Sequence, residues 1–285
     1  MRTVLVRHGC SGCLTFGALA LVAGLCLKGQ FQPFPGPRWT QSSPHISSLS
    51  NSAEGNVGAS ITITGTNFGA STGTVTLSGT TASTSSWSQT SIMFTVPETV
   101  GGSVIVKTSA GQTSNSVTFT IDPNLTSLSS TSGYIGSTTN ISGTGFQNCA
   151  NPYLPTVGGL ATSWGSCTLV SAPNVQIPWT IGAGVAAITI GPGSNSLNFT
   201  VNSPTITVMS PNPATSGSPV TISGQGYGNN LSSLSVTLSG VTETVSSHTS
   251  TSITVNVWSC PTHSTLPLTV TVNGSSSGAL SAGCN

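Results

Sequence analysis

General acid–base chemistry needs two titratable side chains held together with displaced pKa values. In this 285-residue chain the material for it is sparse: Glu54, Glu98, Asp122 and Glu243, with His45, His248 and His263 scattered among them. Glu54, Glu98, Asp122 and His45 fall at turns, strand edges or a domain joint, where a solvated charge is the ordinary outcome. Glu243 and His248 form the one pairing close in sequence. Serines are abundant, yet no Gly-x-Ser-x-Gly elbow is accompanied by a histidine and an acid. The carboxylates are not clustered as a calcium site requires. The expectation is a chain with no catalytic residue, no cofactor site and no metal site.

Cysteine offers more. Cys10 and Cys13 form a Cys-x-x-Cys beside His8, but they sit inside an N-terminal segment with the features of an export signal. Cys26 follows small residues as a lipidation site would, although Leu25 replaces the small residue expected before it. Downstream remain Cys149, Cys167, Cys260 and Cys284, an even number that in an exported chain argues for disulfides. Cys260-Pro-Thr-His263 could hold zinc with Cys284 as a third ligand. The pairing expected instead is Cys149–Cys167 and Cys260–Cys284. For the second pair, Asn273-Gly274 is a hairpin signal that folds the tail back along the strand near Leu266, bringing Cys284 to the level of Cys260. Binding without chemistry would fall to aromatic side chains. Trp39, Trp87, Trp164, Trp179 and Trp258 are available, and Trp164, in the Cys149–Cys167 region, and Trp179 are the candidates for ligand contact. A Trp beside a strand can equally well pack on a sandwich edge.

The surrounding composition decides which elements hold these residues. Only 3% of the chain is charged, against roughly 25% in ordinary globular proteins, yet 36% is hydrophobic, which argues against disorder. Ser, Thr, Gly and Val dominate, a composition suited to pleated surfaces and tight turns. A formal net charge of +1 provides no footprint for nucleic acid, which requires clustered Lys and Arg. Arg2 and Arg7 precede the uncharged, mostly apolar run Leu14–Leu27, shorter than the roughly 20 residues of a spanning helix. Residues 1–28 therefore read as a signal peptide, or as an N-terminal anchor if uncleaved, which would be the chain's one contact with a membrane. Residues 29–43 read as a Pro-rich linker.

The remainder repeats. Pro44-His-Ile-Ser-Ser-Leu-Ser, Pro123-Asn-Leu-Thr-Ser-Leu-Ser and Pro204-Thr-Ile-Thr-Val-Met-Ser open three segments of near-equal length. Each continues into a Gly-rich turn: Gly65-Thr-Asn-Phe-Gly69, Gly143-Thr-Gly-Phe146 and Gly224-Gln-Gly-Tyr-Gly228. Within the first segment Ile61 and Ile63, Val75 and Leu77, Ile92, Phe94 and Val96, Val104 and Val106, then Val117, Phe119 and Ile121 alternate with polar residues. Period two means one buried face and one wet face. About seven such strands make a sandwich. Gly65 and Gly69 are expected to supply positive φ while Phe68, Phe146 and Tyr227 cap the sandwich ends.

These motifs, with Trp87-Ser-x-Thr-Ser-Ile-x-Phe-x-Val-Pro97, resemble the IPT/TIG family of immunoglobulin-like domains. The resemblance implies three tandem sandwiches at residues 44–121, 122–202 and 203–285. The second departs most, through an insertion at Asn148–Pro155, and the third has a degraded last strand. It further implies a secreted or cell-surface bacterial protein that is structural or adhesive and meets a protein or glycan partner. The alternative is a secreted carbohydrate-binding module. With so few titratable groups, stability is expected to be nearly flat from about pH 7 to about pH 3, apart from a buried histidine such as His248.

Overall fold

The computed structural model describes residues 42–255 and 264–285. The expected signal and most of the linker, together with Cys10, Cys13, Cys26, Trp39, Trp258, Cys260 and His263, lie outside the described residues. Ser42–Asn285 forms one compact unit. Its secondary structure is β-strand apart from three single-turn 3-10 segments, so the chain is all-β, and its strands form six sheets that pair in chain order as three immunoglobulin-like sandwiches. No described helix is long and apolar enough to cross a membrane.

In the first sandwich, strands His45–Leu49, Ser60–Thr66, Ser91–Thr95 and Thr84–Trp87 form one sheet in that order. The facing sheet runs Glu54–Asn56, Val117–Asp122, Gly102–Lys107, Thr74–Leu77, Thr80–Ala82. The period-two pattern is realised directly: Ile61 and Ile63 of one sheet and Phe119 and Ile121 of the other are buried, with their Thr neighbours facing out. Phe94 and Phe119 meet edge to face across the sheets, ring centroids 6.3 Å apart, the arrangement that the aromatic quadrupole favours.

The second sandwich sets Asn124–Leu128, Thr138–Thr144 and Ser171–Gln176 against a sheet built on Leu197–Val201, Gly184–Ile190 and Pro155–Val157. The third sets Thr205–Ser210, Val220–Gln225, Ser252–Val255 and Val245–His248 against a sheet centred on Leu234–Leu238 and Ser264–Val272. The tail expected to be a degraded strand is an ordered one. Leu280–Cys284 pairs with Ser264–Val272, Leu266 opposite Ala282 and Ser264 opposite Cys284. The turn that returns it has Asn273 and Gly274 both at positive φ, 48° and 78°, as a type I′ hairpin requires. Small inward residues, Ala282 and Cys284, kept this strand from showing the large apolar alternation of the others.

The Gly-rich turn recurs with the same hydrogen bonds in each sandwich. Gly65, Gly143 and Gly224 donate to Thr90, Val170 and Thr251, and Phe68, Phe146 and Tyr227 donate to Gln89, Leu169 and Ser250. All three aromatic rings are fully buried. The expectation that Gly65 supplies positive φ is corrected. A Cβ at Gly65, Gly143 or Gly224 would overlap the carbonyl oxygen of His45, Asn124 or Thr205 and the ring three residues on. The glycine is needed for close approach, and the left-handed conformations fall two and four residues later: Asn67 and Gly69, Gly145 and Gln147, Gly226 and Gly228.

The first sandwich has its own core, whereas the cores of the second and third merge into one cluster. At the first joint the Gln147 side chain, almost wholly buried, accepts from the Gly101 amide at 2.7 Å, and Glu98 accepts from the Gly145 amide at 3.1 Å. At the second joint the Asn273 side chain donates to the Trp179 and Ile181 carbonyls at 2.7 and 2.9 Å. The Ala183 amide donates to Ser275 at 2.8 Å.

Candidate ligand-contact surface

Among the titratable groups, Asp122 neighbours both Glu54 and Tyr153. Glu98 is engaged at the first joint. Burial, and then the neighbouring Glu54 carboxylate, raise the Asp122 carboxyl above its usual range. Burial also raises Tyr153, with a smaller contribution from Asp122. Burial raises Glu243 as well. Glu243 and His248 lie on different sheets of the third sandwich, and His248 Nε2 is buried without a hydrogen-bond partner, so the pairing considered from sequence does not form. Among the described residues no three His, Cys, Asp or Glu side chains are grouped to hold a metal ion.

One position at the sheet edge is filled differently in each sandwich, and in the first two it is tied to the Gly-rich turn region. The position is identified by the bond that follows it: Ser88 to Ser91, Thr168 to Ser171, Thr249 to Ser252. In the first sandwich Trp87 occupies it, its indole N–H donating to the Phe68 and Gly69 carbonyls at 3.3 and 3.2 Å. In the second it is Cys167, disulfide-bonded to Cys149 with Cα atoms 5.6 Å apart. A covalent link there replaces the indole that braces the first sandwich. In the third it is His248. Cys284 is also disulfide-bonded, and Cys260, its expected partner, lies outside the described residues.

Trp164 lies away from this position and packs against the core. It stands, half-buried, in the connection between Leu160–Ala161 and Ser171–Gln176 and borders a groove of about 590 Å³. The inserted segment supplies the opposite wall through Pro152, Leu154 and Pro155, with Pro192 completing it. Trp179, also half-buried, follows the strand end at Gln176. The six-membered edge of its ring lies over Gly136, where a Cβ would collide with it. Trp179 borders a second hollow of about 370 Å³ that shares Ala161 and Thr162 with the first. No charged side chain lines either hollow. In contrast to Trp87, no hydrogen bond from the indole N–H of Trp164 or Trp179 forms among the described residues.

Several residues escaped the sequence reading. Asn115 and Asn195 each bridge two sheets. Asn115 accepts from the Ile46 amide at 2.7 Å and donates to its carbonyl at 3.0 Å, while Asn195 does the same to Leu125 at 2.6 and 2.8 Å. The preceding serines, Ser114 and Ser194, accept from Val106 and Ile190, as Ser277 does from Val270. The signal was present as Ser-Asn-Ser before the last strand of two repeats. Gln147 was legible as the one departure from glycine at its turn position.

Residues 44–121 and 204–284 match the IPT/TIG domain, together more than half of the chain. The chain belongs to the IPT/TIG family. The segment between the two matches carries the same turn geometry in the structure and lies outside the family match. No curated protein sequence matches this IPT/TIG chain. Among solved structures it is similar to one crystallised with a xylogluco-oligosaccharide, at 16% identity and a TM-score of 0.42, covering 85% of this chain and 59% of that one. A surface glycan-binding protein from Prevotella bryantii aligns at 14% identity and a TM-score of 0.39, covering 55% of this chain and 41% of that one. A gamma-CGTase from Alkalophilic bacillus clarkii aligns at 21% and 0.29, covering 56% of this chain and 26% of that one. The chain thus spans less than two thirds of the length of each. Identities and scores this low leave any functional argument to the chain's own residues.

Proposed function

We propose that this IPT/TIG protein is a non-catalytic contact protein displayed on, or released from, the cell, with adhesive or architectural function. Residues 44–121, 122–202 and 203–285 act as three domains of one kind, the second a divergent copy specialised for contact through Trp164 and Trp179. The observation that carries this reading is the uncharged groove beside Trp164. Its lining combines Trp164 with Pro152, Leu154 and Pro155 of the inserted segment, beside the Cys149–Cys167 disulfide. The Cys149–Cys167 bond fits an oxidising compartment, in keeping with residues 1–28 acting as an export signal. Four acidic side chains, one of them engaged at a joint between sandwiches, fit a protein that makes and breaks no bonds.

The test has two parts. Protease treatment of intact source cells should remove the chain from the cell-associated fraction, or the chain should be found in the medium. A surface coated with purified full chain should retain intact source cells, and Trp164→Ala should abolish most of that retention. A chain confined to the cytoplasm, or retention indifferent to Trp164→Ala, would overturn the reading.

A further inference from the structure

We infer that the contact surface is a track for a linear, uncharged polysaccharide, running from the Trp164 groove over Trp179 and onto the third sandwich. The inference rests on the contact reading above and assigns its ligand class. The groove beside Trp164 and the hollow beside Trp179 share Ala161 and Thr162. Trp179 in turn borders a third hollow, of about 220 Å³, whose far wall is Gln225, Ser250 and Thr251 of the third sandwich. Three hollows joined in series suit an extended polymer rather than a compact molecule.

The lining chemistry selects the polymer. No Asp, Glu, Lys, Arg or His borders any of the three hollows, so a polyanion or a charged peptide would leave its charges desolvated and unpaired. What the track presents is two half-buried indoles and a set of prolines, interspersed with the hydroxyl and amide groups of Thr, Ser and Gln. A sugar ring is amphipathic in the same way, with C–H faces that cover an aromatic ring and an equatorial belt of hydroxyls. The polar groups are held in place in advance. Thr162 donates to the Gln176 carbonyl, Ser163 donates to the Gln176 side-chain oxygen at 3.2 Å, and Thr156 and Thr189 are bonded to each other at 2.8 Å. The Trp164 and Trp179 indole N–H groups keep their donors for a ligand, whereas that of Trp87 is spent on Phe68 and Gly69. The merged core and the Asn273 bonds to Trp179 and Ile181 fix the second and third sandwiches relative to each other. The track is therefore formed before ligand arrives, which limits the ordering cost of binding.

Affinity electrophoresis of the full chain would decide the matter. The gels would contain neutral polysaccharides with glucan, mannan, xylan or galactan backbones, and polygalacturonate as a charged control. At least one neutral polymer should retard the chain and polygalacturonate should not. Trp164→Ala and Trp179→Ala, compared well below their melting temperatures because both indoles also pack against the core, should each weaken retardation about tenfold or more, and Trp164→Phe should restore most of it. Thr251→Arg, on the third sandwich, should weaken binding of long oligosaccharides of the retarding polymer while sparing its trimer. Retardation by none of the neutral polymers, or retardation unaffected by either tryptophan, would overturn the inference. If polysaccharides fail while cell retention still falls with Trp164→Ala, the occupant is a protein and the contact reading survives. If both fail, neither stands.

Discussion

The hydroxyl of Tyr227 and Nε2 of His248 are buried in the third sandwich without hydrogen-bond partners. The equivalent turn positions in the other sandwiches hold Phe68 and Phe146, which have no polar atom to satisfy. Tyr227→Phe should therefore stabilise the protein by about 1 kcal/mol, the order of an unmet hydroxyl, seen as a raised melting temperature. Burial pushes the Tyr227 phenol far above its ordinary value of 10.0. A group raised in the folded state contributes stability that is complete below the unfolded pKa and is lost as pH rises through the folded one. The native chain should thus lose stability above about pH 10, and Tyr227→Phe should flatten that alkaline limb. A melting temperature lowered by Tyr227→Phe would mean that the hydroxyl has a partner. At this scale sequence reading was half successful. It recognised the buried aromatic at each turn from its place after Gly-x-Gly or Gly-x-Asn, but it misjudged Gly65, because φ and close approach both demand glycine and only the neighbouring strand tells them apart.

Strands were the most legible elements, since period-two alternation of Val, Ile and Phe with Ser and Thr reports burial directly. The tail was expected to return to the strand near Leu266, as it does, but its strand Leu280–Cys284 was read as degraded because the inward side chains are Ala282 and Cys284, too small to register as an apolar face. The bridges between sheets were missed for a different reason: Asn115 and Asn195 work through single side chains that alter no periodicity. Asn115 satisfies both polar groups of Ile46, a residue 1% exposed. Asn115→Ala should destabilise the first sandwich by about 3 kcal/mol, the cost of orphaning a buried amide and carbonyl. Asn115→Asp keeps one of the two bonds and should fall between. Chemical denaturation of the two variants checks this, and an Asn115→Ala change below about 0.5 kcal/mol would show that water replaces the side chain without cost. The third sandwich has Gly278 after Ser277, where the others have asparagine, so it holds its first strand without this bridge.

For the molecule as a whole, scarcity of charge governs both stability and binding. Where carboxyl shifts are resolved among the described residues, they are upward, at Asp122 and Glu243, and burial is the leading cause of both. A raised carboxyl pKa favours the protonated folded state. Its stabilising contribution is complete at low pH and is lost as pH rises through the raised value, so acidification does not unfold the chain through these groups. Melting temperatures should stay level, or rise slightly, between about pH 7 and about pH 3. A fall equivalent to more than about 3 kcal/mol would reveal a carboxylate depressed by a partner. Family and architecture were legible at this scale because the repeats carry them three times over. The groove beside Trp164 was not legible, since its walls come from an insertion and a disulfide-bonded loop whose spatial relation no local pattern encodes. The central claim is that Trp164 belongs to a contact surface while Trp87 belongs to the fold. It is tested most directly by measuring melting temperature and retention of intact source cells side by side for Trp164→Ala and Trp87→Ala. Both indoles pack against a core, so each variant should melt lower; below their melting points Trp164→Ala should lose retention and Trp87→Ala should retain cells as before. The reverse pattern, with folded Trp164→Ala still adhesive and folded Trp87→Ala not, would contradict the account.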